Sequence, residues 1–226
     1  KRVEEELRHA RDDLEARVRE RTAELIQSNT ELARFAYVSS HDLQEPLRMV
    51  ASYVGLLENE YRDKLDDNAR EYIAYAIEGA QRMSCLIKGL LEYSQINTDE
   101  NVRGPVDVGR ILEVVHQNLR QTIENTGARI TADPLPVIQS DKIQMVRVFQ
   151  NLIDNAVKFH GNRVPEIHIG AQRQDHEWVF SVRDNGIGIE PEYFEKIFEI
   201  FQRLHRRRDY PGMGMGLAVV RRIIER

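Results

Sequence analysis

Apolar residues recur along the first part of the chain at helical spacing. Val3, Leu7, Ala10, Leu14, Val18, Leu25 and Leu32 are separated mostly by three, four or seven residues, which marks a narrow apolar seam along a helix. Almost every second residue up to Glu31 is charged, and neither glycine nor proline interrupts the run. At Val18 the step is four where a strict heptad would place Arg17, so the pattern predicts a coiled coil with a stutter. From 35 to 61 the seam widens, with Val38, Leu43, Leu47, Val50, Val54 and Leu57 on helical spacing. Pro46 stands inside it and collides with the carbonyl of Asp42, which predicts a kink just after His41. A charged connection at 62–67 ends in Asp66 and Asp67, and a second amphipathic helix follows with Ile73, Ala76, Ala80, Met83, Ile87, Leu90 and Ser94 inside. Two helices on a short connection form an antiparallel hairpin. Two helices also bury too little, so a homodimer closing a four-helix bundle is the simplest stable arrangement.

After Asn97 the pattern breaks. A polar stretch ends in Gly104 and Pro105, which reads as a linker over 98–105. The organisation expected is therefore a coiled-coil helix over 1–32, a helical hairpin over 33–97, the linker, and a second domain over 106–226. In that domain 106–125 reads as a short extended start and a helix, 128–138 as strand, and 141–159 as a helix capped by Ser140 or Asp141. The segments 165–173 and 177–183 carry Ile167, Ile169, Trp178, Phe180 and Val182 and read as two strands turned around 174–176. Helices with an antiparallel-looking sheet in about 120 residues predict an α/β sandwich. The fold class of the whole is α+β.

Composition excludes more than it identifies. The 226 residues suffice for two modest domains. Cys85 is the one cysteine, so there is no internal disulfide and no thiol metal motif; a reducing, cytoplasmic location fits, and Cys85 reads as a small packing residue. No apolar run reaches the roughly 18–20 residues of a membrane span, so no membrane contact is expected of these residues. With 32 basic against 37 acidic side chains there is no global field to draw the chain to nucleic acid. His160, His168 and His176 lack metal-ligand spacing and read as surface residues.

The candidate chemistry lies in the second domain. Asn151, Asn155 and Lys158 stand at i, i+4 and i+7 and share one helix face. Neutral amide oxygens with a lysine suit a Mg²⁺–triphosphate, because magnesium takes hard oxygen ligands. Two glycine segments, Gly186 with Gly188 and Gly212 with Gly214 and Gly216 ahead of Leu217, let backbone amides approach phosphate oxygens. Between them lie Phe198 and Phe201, then Arg203, His205, Arg206, Arg207 and Arg208, a cationic segment placed as a lid over an anionic ligand.

In these motifs and their order the sequence resembles the sensor histidine kinases of two-component signalling, in the phytochrome-like and PAS-linked branch, from about Ala33 to Glu225. Residues 35–48, with His41, Asp42, Glu45 and Pro46, resemble the phosphoacceptor box. Residues 151–159 resemble the asparagine box, 184–189 and 212–217 the two glycine boxes, and 198–201 the phenylalanine box. The resemblance implies that His41 is the nucleophile that takes the γ-phosphoryl group of ATP and passes it to an aspartate of a response-regulator receiver domain. Asp42 would hold the imidazole tautomer and stabilise its developing charge. Asp184 would read the adenine amino group, Asn155 would ligate Mg²⁺ with Asn151 beside it, and Lys158, Arg203 and Arg207 would face the phosphates.

Three departures sharpen the expectation. Asn151 stands where related ATPases such as DNA gyrase carry a water-activating glutamate, and an amide cannot act as that base, which favours transfer over hydrolysis. Glu45 stands where kinases that also dephosphorylate their partner carry threonine or asparagine, and its charge argues against phosphatase activity. The sequence ends at Arg226 short of the closing strands that the resemblance implies. The alternatives are a nucleotide-binding switch, or a dimeric scaffold, on the same fold without histidine phosphorylation.

Overall fold

A computed structural model of the chain describes residues 2–95, 103–204, 210 and 213–225; within α1 the side chain of His41 is outside the described part. The chain divides into two compact units, Lys1–Asp99 and Glu100–Arg226.

The first unit is a helical hairpin. Helix α1 covers Arg2–Tyr61, one turn of 3₁₀ helix follows at Arg62–Lys64, and α2 covers Asp67–Gln95. The coiled-coil segment and the phosphoacceptor segment are thus one continuous helix, which also runs unbroken through Pro46. The charged face predicted for the first turns is laced by pairs such as Arg17–Asp13 at 2.8 Å and Arg21–Glu24 at 2.7 Å, one turn apart and exposed. Each such pair contributes only about 0.3–0.5 kcal/mol. Asp66 caps α2 by accepting the Ala69 N–H at 2.7 Å.

The predicted inner face is covered only in part. Ala80 is buried and Ile73 and Ile87 half-buried, but Met83, Leu90, Val50 and Leu57 remain 41–51% exposed, and Leu7, Leu14, Val18 and Leu25 more so. Cys85 is exposed on α2, not packed within the chain. The hairpin of one chain thus leaves this apolar stripe open.

The second unit is a layer of helices on a sheet. Strand β1 (Gly104–Asp107) leads into α3 (Val108–Asn118) and α4 (Arg120–Thr126). Strands β2 (Arg129–Ala132) and β3 (Val137–Ser140) precede α5 (Lys142–Lys158), and β4 (Glu166–Gln174), β5 (Glu177–Asp184) and α6 (Gly216–Ile224) complete it. Gly104 and Pro105, read as linker, are the start of β1, opposite Ser140 and Gln139 of β3. The stretch read as one strand over 128–138 is two. β2 runs parallel to β4 in a sheet ordered β2-β4-β5, whereas β3 pairs with β1 in a separate ribbon.

The single helix expected before it is also two, since α3 ends at Asn118 and α4 ends at Gly127 with φ +66, a left-handed cap that glycine adopts without strain. β4 and β5 form the expected antiparallel hairpin, with Gln174 opposite Glu177. The core fills from three sides: Val108, Ile111 and Val115 of α3, Met145, Phe149, Ile153 and Val157 of α5, and Ile167 and Ile169 of β4. Those helical positions repeat every three or four residues, so each helix turns one stripe to the sheet. Phe149 meets Phe180 of β5 edge-on at 5.8 Å. This packing fixes the polar face of α5 on the side away from the sheet.

Candidate functional site

Helix α5 begins where the Asp141 carboxylate accepts the N–H groups of Ile143 and Gln144, satisfying two of the orphan donors of the first turn. With that start and the core stripe fixed, Asn151, Asn155 and Lys158 fall together on the opposite face, all three half-buried. The Asn151 amide Nδ2 donates to the carbonyl of Arg147 at 2.8 Å. Its oxygen abuts α6: a Cβ on Gly216 would lie 2.7 Å from Asn151 Oδ1. Gly216 therefore brings the start of α6 onto the amide face of α5, with Leu217 half-buried behind it.

The turn after β5 closes on the end of the same helix. Asp184 Oδ1 accepts the Gly186 N–H at 2.7 Å, and the Ile187 N–H donates to the Phe159 carbonyl at 2.9 Å. A Cβ at Gly186 would stand 2.6 Å from that carbonyl oxygen and 2.6 Å from Asp184 Oδ1. Gly188 adopts φ +75, a conformation that side chains disfavour.

The segment before α6 is tied in by its backbone. Phe201, at φ +66, donates its N–H to the Gly214 carbonyl at 3.0 Å. Gly214 has φ +71 and leaves no room for a Cβ beside the Gln202 carbonyl. Phe198 is half-buried, with the Arg221 guanidinium 5.8 Å from its ring centre. Arg203 donates through Nη2 to the carbonyl of Tyr210 at 2.7 Å, so one of its donors is engaged in shaping the segment. The Tyr210 ring lies 4.9 Å from the Phe159 ring, and the Lys158 ammonium stands 4.6 Å from the centre of the Phe159 ring. Gly212, Arg207 and the neighbouring cations at 205–208 lie outside the described residues.

The electrostatics favour an anion. Burial pushes the Lys158 ammonium below the ordinary lysine value; Asp154 opposes that shift and Arg203 adds to it. The Asp154 carboxyl is pushed up by burial, against the pull of Lys158. A lysine lowered in this way destabilises the folded chain at pH values where it is charged in both states, and the penalty is relieved as pH rises through its folded pKa. Removing Lys158 should therefore cost the unliganded protein little while removing a candidate phosphate partner. Lys158→Met is expected to leave or raise the melting temperature of the unliganded chain and to weaken ATP binding about tenfold or more. A calorimetric scan and a titration check the two halves, and a lowered melting temperature would contradict this reading of Lys158.

Both implied ligands fit the residues present. Alternating glycines, two cations and an amide face make a cradle for a polyphosphate. Among the described residues no cluster of histidine, cysteine or carboxylate side chains could hold a metal. A Mg²⁺ here would have one protein amide, Asn155, with water and phosphate oxygens, a donor set magnesium accepts.

Asn151, Asn155, Lys158, Asp184, Gly186, Gly188, Gly214 and Gly216 are thus gathered around the C-terminal half of α5. His41 and Asp42 lie on α1, in the other unit. Phe159 and Asn185, inside the asparagine and first glycine boxes but not among the expected site residues, bind the same loops. Arg163 and Tyr210 also touch these loops; they lie outside the motifs and nothing in their local pattern distinguishes them, because their contacts close only through space.

Comparison with known proteins accords with this division. Residues 31–99 match the His Kinase A (phospho-acceptor) domain, and 140–226 match the family described as histidine kinase-, DNA gyrase B-, and HSP90-like ATPase. Cyanobacterial phytochrome A of Nostoc sp. is 52% identical over 89% of this chain and 26% of its own length. The methanogenesis regulatory histidine kinase FilI of Methanothrix harundinacea is 35% identical over 92% of this chain and 24% of its own. The crystal structure of full-length ShkA in complex with AMPPNP superimposes with a TM-score of 0.59 at 28% identity, over 84% of this chain and 40% of that one. The chain spans about a quarter of the length of the curated relatives it matches. Among the described residues no helix is long and apolar enough to cross a membrane.

Proposed function

The chain belongs to the histidine kinases, joining a phospho-acceptor domain to an ATPase domain of the histidine kinase and gyrase type, and from that premise we propose that it phosphorylates its own His41 from ATP and passes the phosphoryl group to an aspartate of a response-regulator receiver domain, under an upstream sensor. What supports the reading most is the convergence of the α5 amide and lysine face, the Asp184 turn and the glycine start of α6 in one unit, in a chain whose other unit carries His41 on a phospho-acceptor helix.

In this mechanism a neutral ring nitrogen of His41 attacks the γ-phosphorus. An N–P bond forms, the bond from phosphorus to the β,γ-bridging oxygen breaks, and ADP leaves with the electron pair. Asp42, next to His41 and exposed, accepts the proton-bearing side of the ring and stabilises its positive charge. Lys158 and Arg203 hold the phosphates, and the Asp184 oxygen not engaged by Gly186 accepts the adenine amino group. Asn155 would hold Mg²⁺ through its amide oxygen, and the ion would supply charge neutralisation at the triphosphate. Asn151 supplies no base for water, so the phosphoryl group is kept for histidine. Glu45, exposed one turn beyond His41, would repel a phospho-aspartate, which argues against phosphatase activity. The work is cytoplasmic, whether the whole protein is free or membrane-bound.

The working form is a homodimer. Burying side chains such as Val50, Leu57 and Leu90 against a second copy stabilises it by about 1.5–3 kcal/mol each when fully covered. Leu57→Glu is expected to shift the chain toward monomer in sedimentation experiments, with the ATPase-type unit still folded. A dimer of unchanged affinity would remove this stripe from the interface. The proposed activity itself is tested by incubation with γ-labelled ATP. Transfer of an acid-labile label to the chain supports it, and ATP binding without transfer would favour a nucleotide-binding switch.

A further inference from the structure

The loop between α5 and β4, residues 159–166, is bound to three consecutive residues of the base-reading turn. Asn185 accepts the Glu166 N–H at 3.0 Å through Oδ1 and donates from Nδ2 to the Val164 carbonyl at 2.9 Å. Arg163 donates through Nη2 to the Gly186 carbonyl at 3.0 Å. The Ile187 N–H donates to the Phe159 carbonyl at 2.9 Å. The peptide unit joining Gly186 and Ile187 is therefore clamped at both ends, its carbonyl by Arg163 and its N–H by Phe159. The loop that does the clamping is itself closed, with His160 Nδ1 2.6 Å from the Arg163 carbonyl and Gly161 at φ +66 against the Ile187 side chain.

We propose that Arg163 is a positioning residue for base selection, setting through Gly186 the orientation of the Asp184 carboxylate. The link is geometric. Asp184 Oδ1 is held by the Gly186 N–H, so the position of Gly186 decides where the second oxygen points. An acceptor aimed at an amino group distinguishes adenine from guanine only while its direction is fixed, since a site built to hydrogen-bond one group rejects an analogue that leaves it unpaired. Arg163 is exposed and contributes nothing to the core, so its replacement leaves folding intact. It is also remote in role from the phosphate-holding face: the clamp bears on residues 185–187, not on Asn151, Asn155 or Lys158.

This inference rests on the reading of the site as an ATP site, and the test separates the two. Binding of ATP, GTP and inorganic tripolyphosphate is measured by calorimetry with Mg²⁺ for the unaltered chain, Arg163→Met and Arg163→Lys. The unaltered chain is expected to prefer ATP over GTP; absence of that preference overturns the site reading itself. In Arg163→Met the ATP-to-GTP preference is expected to fall about tenfold, the scale of one lost charge-assisted hydrogen bond, with tripolyphosphate affinity unchanged. Arg163→Lys, which keeps a charged donor, should recover part of the preference. If the unaltered chain shows the preference and Arg163→Met keeps it, the positioning role is wrong. A parallel loss of tripolyphosphate affinity would equally overturn it, because it would make Arg163 a general support of the site.

Discussion

His41→Gln is expected to abolish incorporation of label from γ-labelled ATP and to leave the affinity for ATP where it was. Glutamine is a good helix former, so α1 continues through the position as it does through Pro46. It is also polar and of similar reach, but its amide nitrogen has no available lone pair and cannot attack phosphorus. The nucleotide site lies in the other unit, around α5, so binding has no reason to change. Asp42→Asn makes the contrast. It keeps the proposed nucleophile and removes the charge proposed to stabilise the imidazolium, and a loss on the order of 10²-fold in rate is expected, within the usual range for a general acid or base. Label at the unaltered level in His41→Gln would place the acceptor elsewhere.

Gly186→Ala is the most damaging single methyl expected in the turn that carries Asp184. The new Cβ would meet the Phe159 carbonyl at 2.6 Å, and that oxygen belongs to backbone already bonded to Ile187. It would also meet Asp184 Oδ1 at 2.6 Å, so the carboxylate and its turn must both move. We expect ATP affinity to fall about 100-fold. Gly188→Ala is the matched control: it carries φ +75 but nothing stands within 4 Å of its Cβ, so it costs about 1–2 kcal/mol of backbone strain without displacing Asp184. Titration of both variants should give a much larger loss at Gly186, and equal losses would mean that the close approach to Phe159 is not what holds the site.

The legible part of this protein was the part written in local pattern. The seam of α1, the stripes of α3 and α5, the Asp141 cap and the β4–β5 hairpin each follow from spacing and from residues that cap or turn. The glycines also declared themselves, and the structure supplies the reason at three of them: Gly186, Gly214 and Gly216 stand where a Cβ would strike Phe159, Gln202 and Asn151. What spacing could not show was partnership at a distance. The 128–138 stretch looks uniformly extended, yet β2 and β3 join different sheets because their partners, β4 and β1, lie on either side of them in sequence. Pro105 reads as a breaker but fits the start of a two-stranded ribbon, where a missing donor is tolerated. Arg203 reads as a phosphate ligand, and one of its donors is spent on Tyr210. Arg163 and Asn185 have no periodicity to betray them, since their role is to join two loops that meet only once the sheet has formed. Cys85 reads as a packing residue, but in one chain it is exposed, as are Met83, Leu90, Val50 and Leu57, in keeping with the expectation that two helices alone bury too little.

In the proposed reaction phosphorus becomes bonded to the ring of His41. Phosphorus NMR of the intact chain after incubation with Mg²⁺ and ATP, with peptide mapping of the same sample, detects that bond. A phosphoramidate, stable in alkali and lost in acid, is expected on the peptide that contains His41. An acid-stable phosphate ester on Ser39 or Ser40, or bound ATP with no phosphorylated residue, would contradict it.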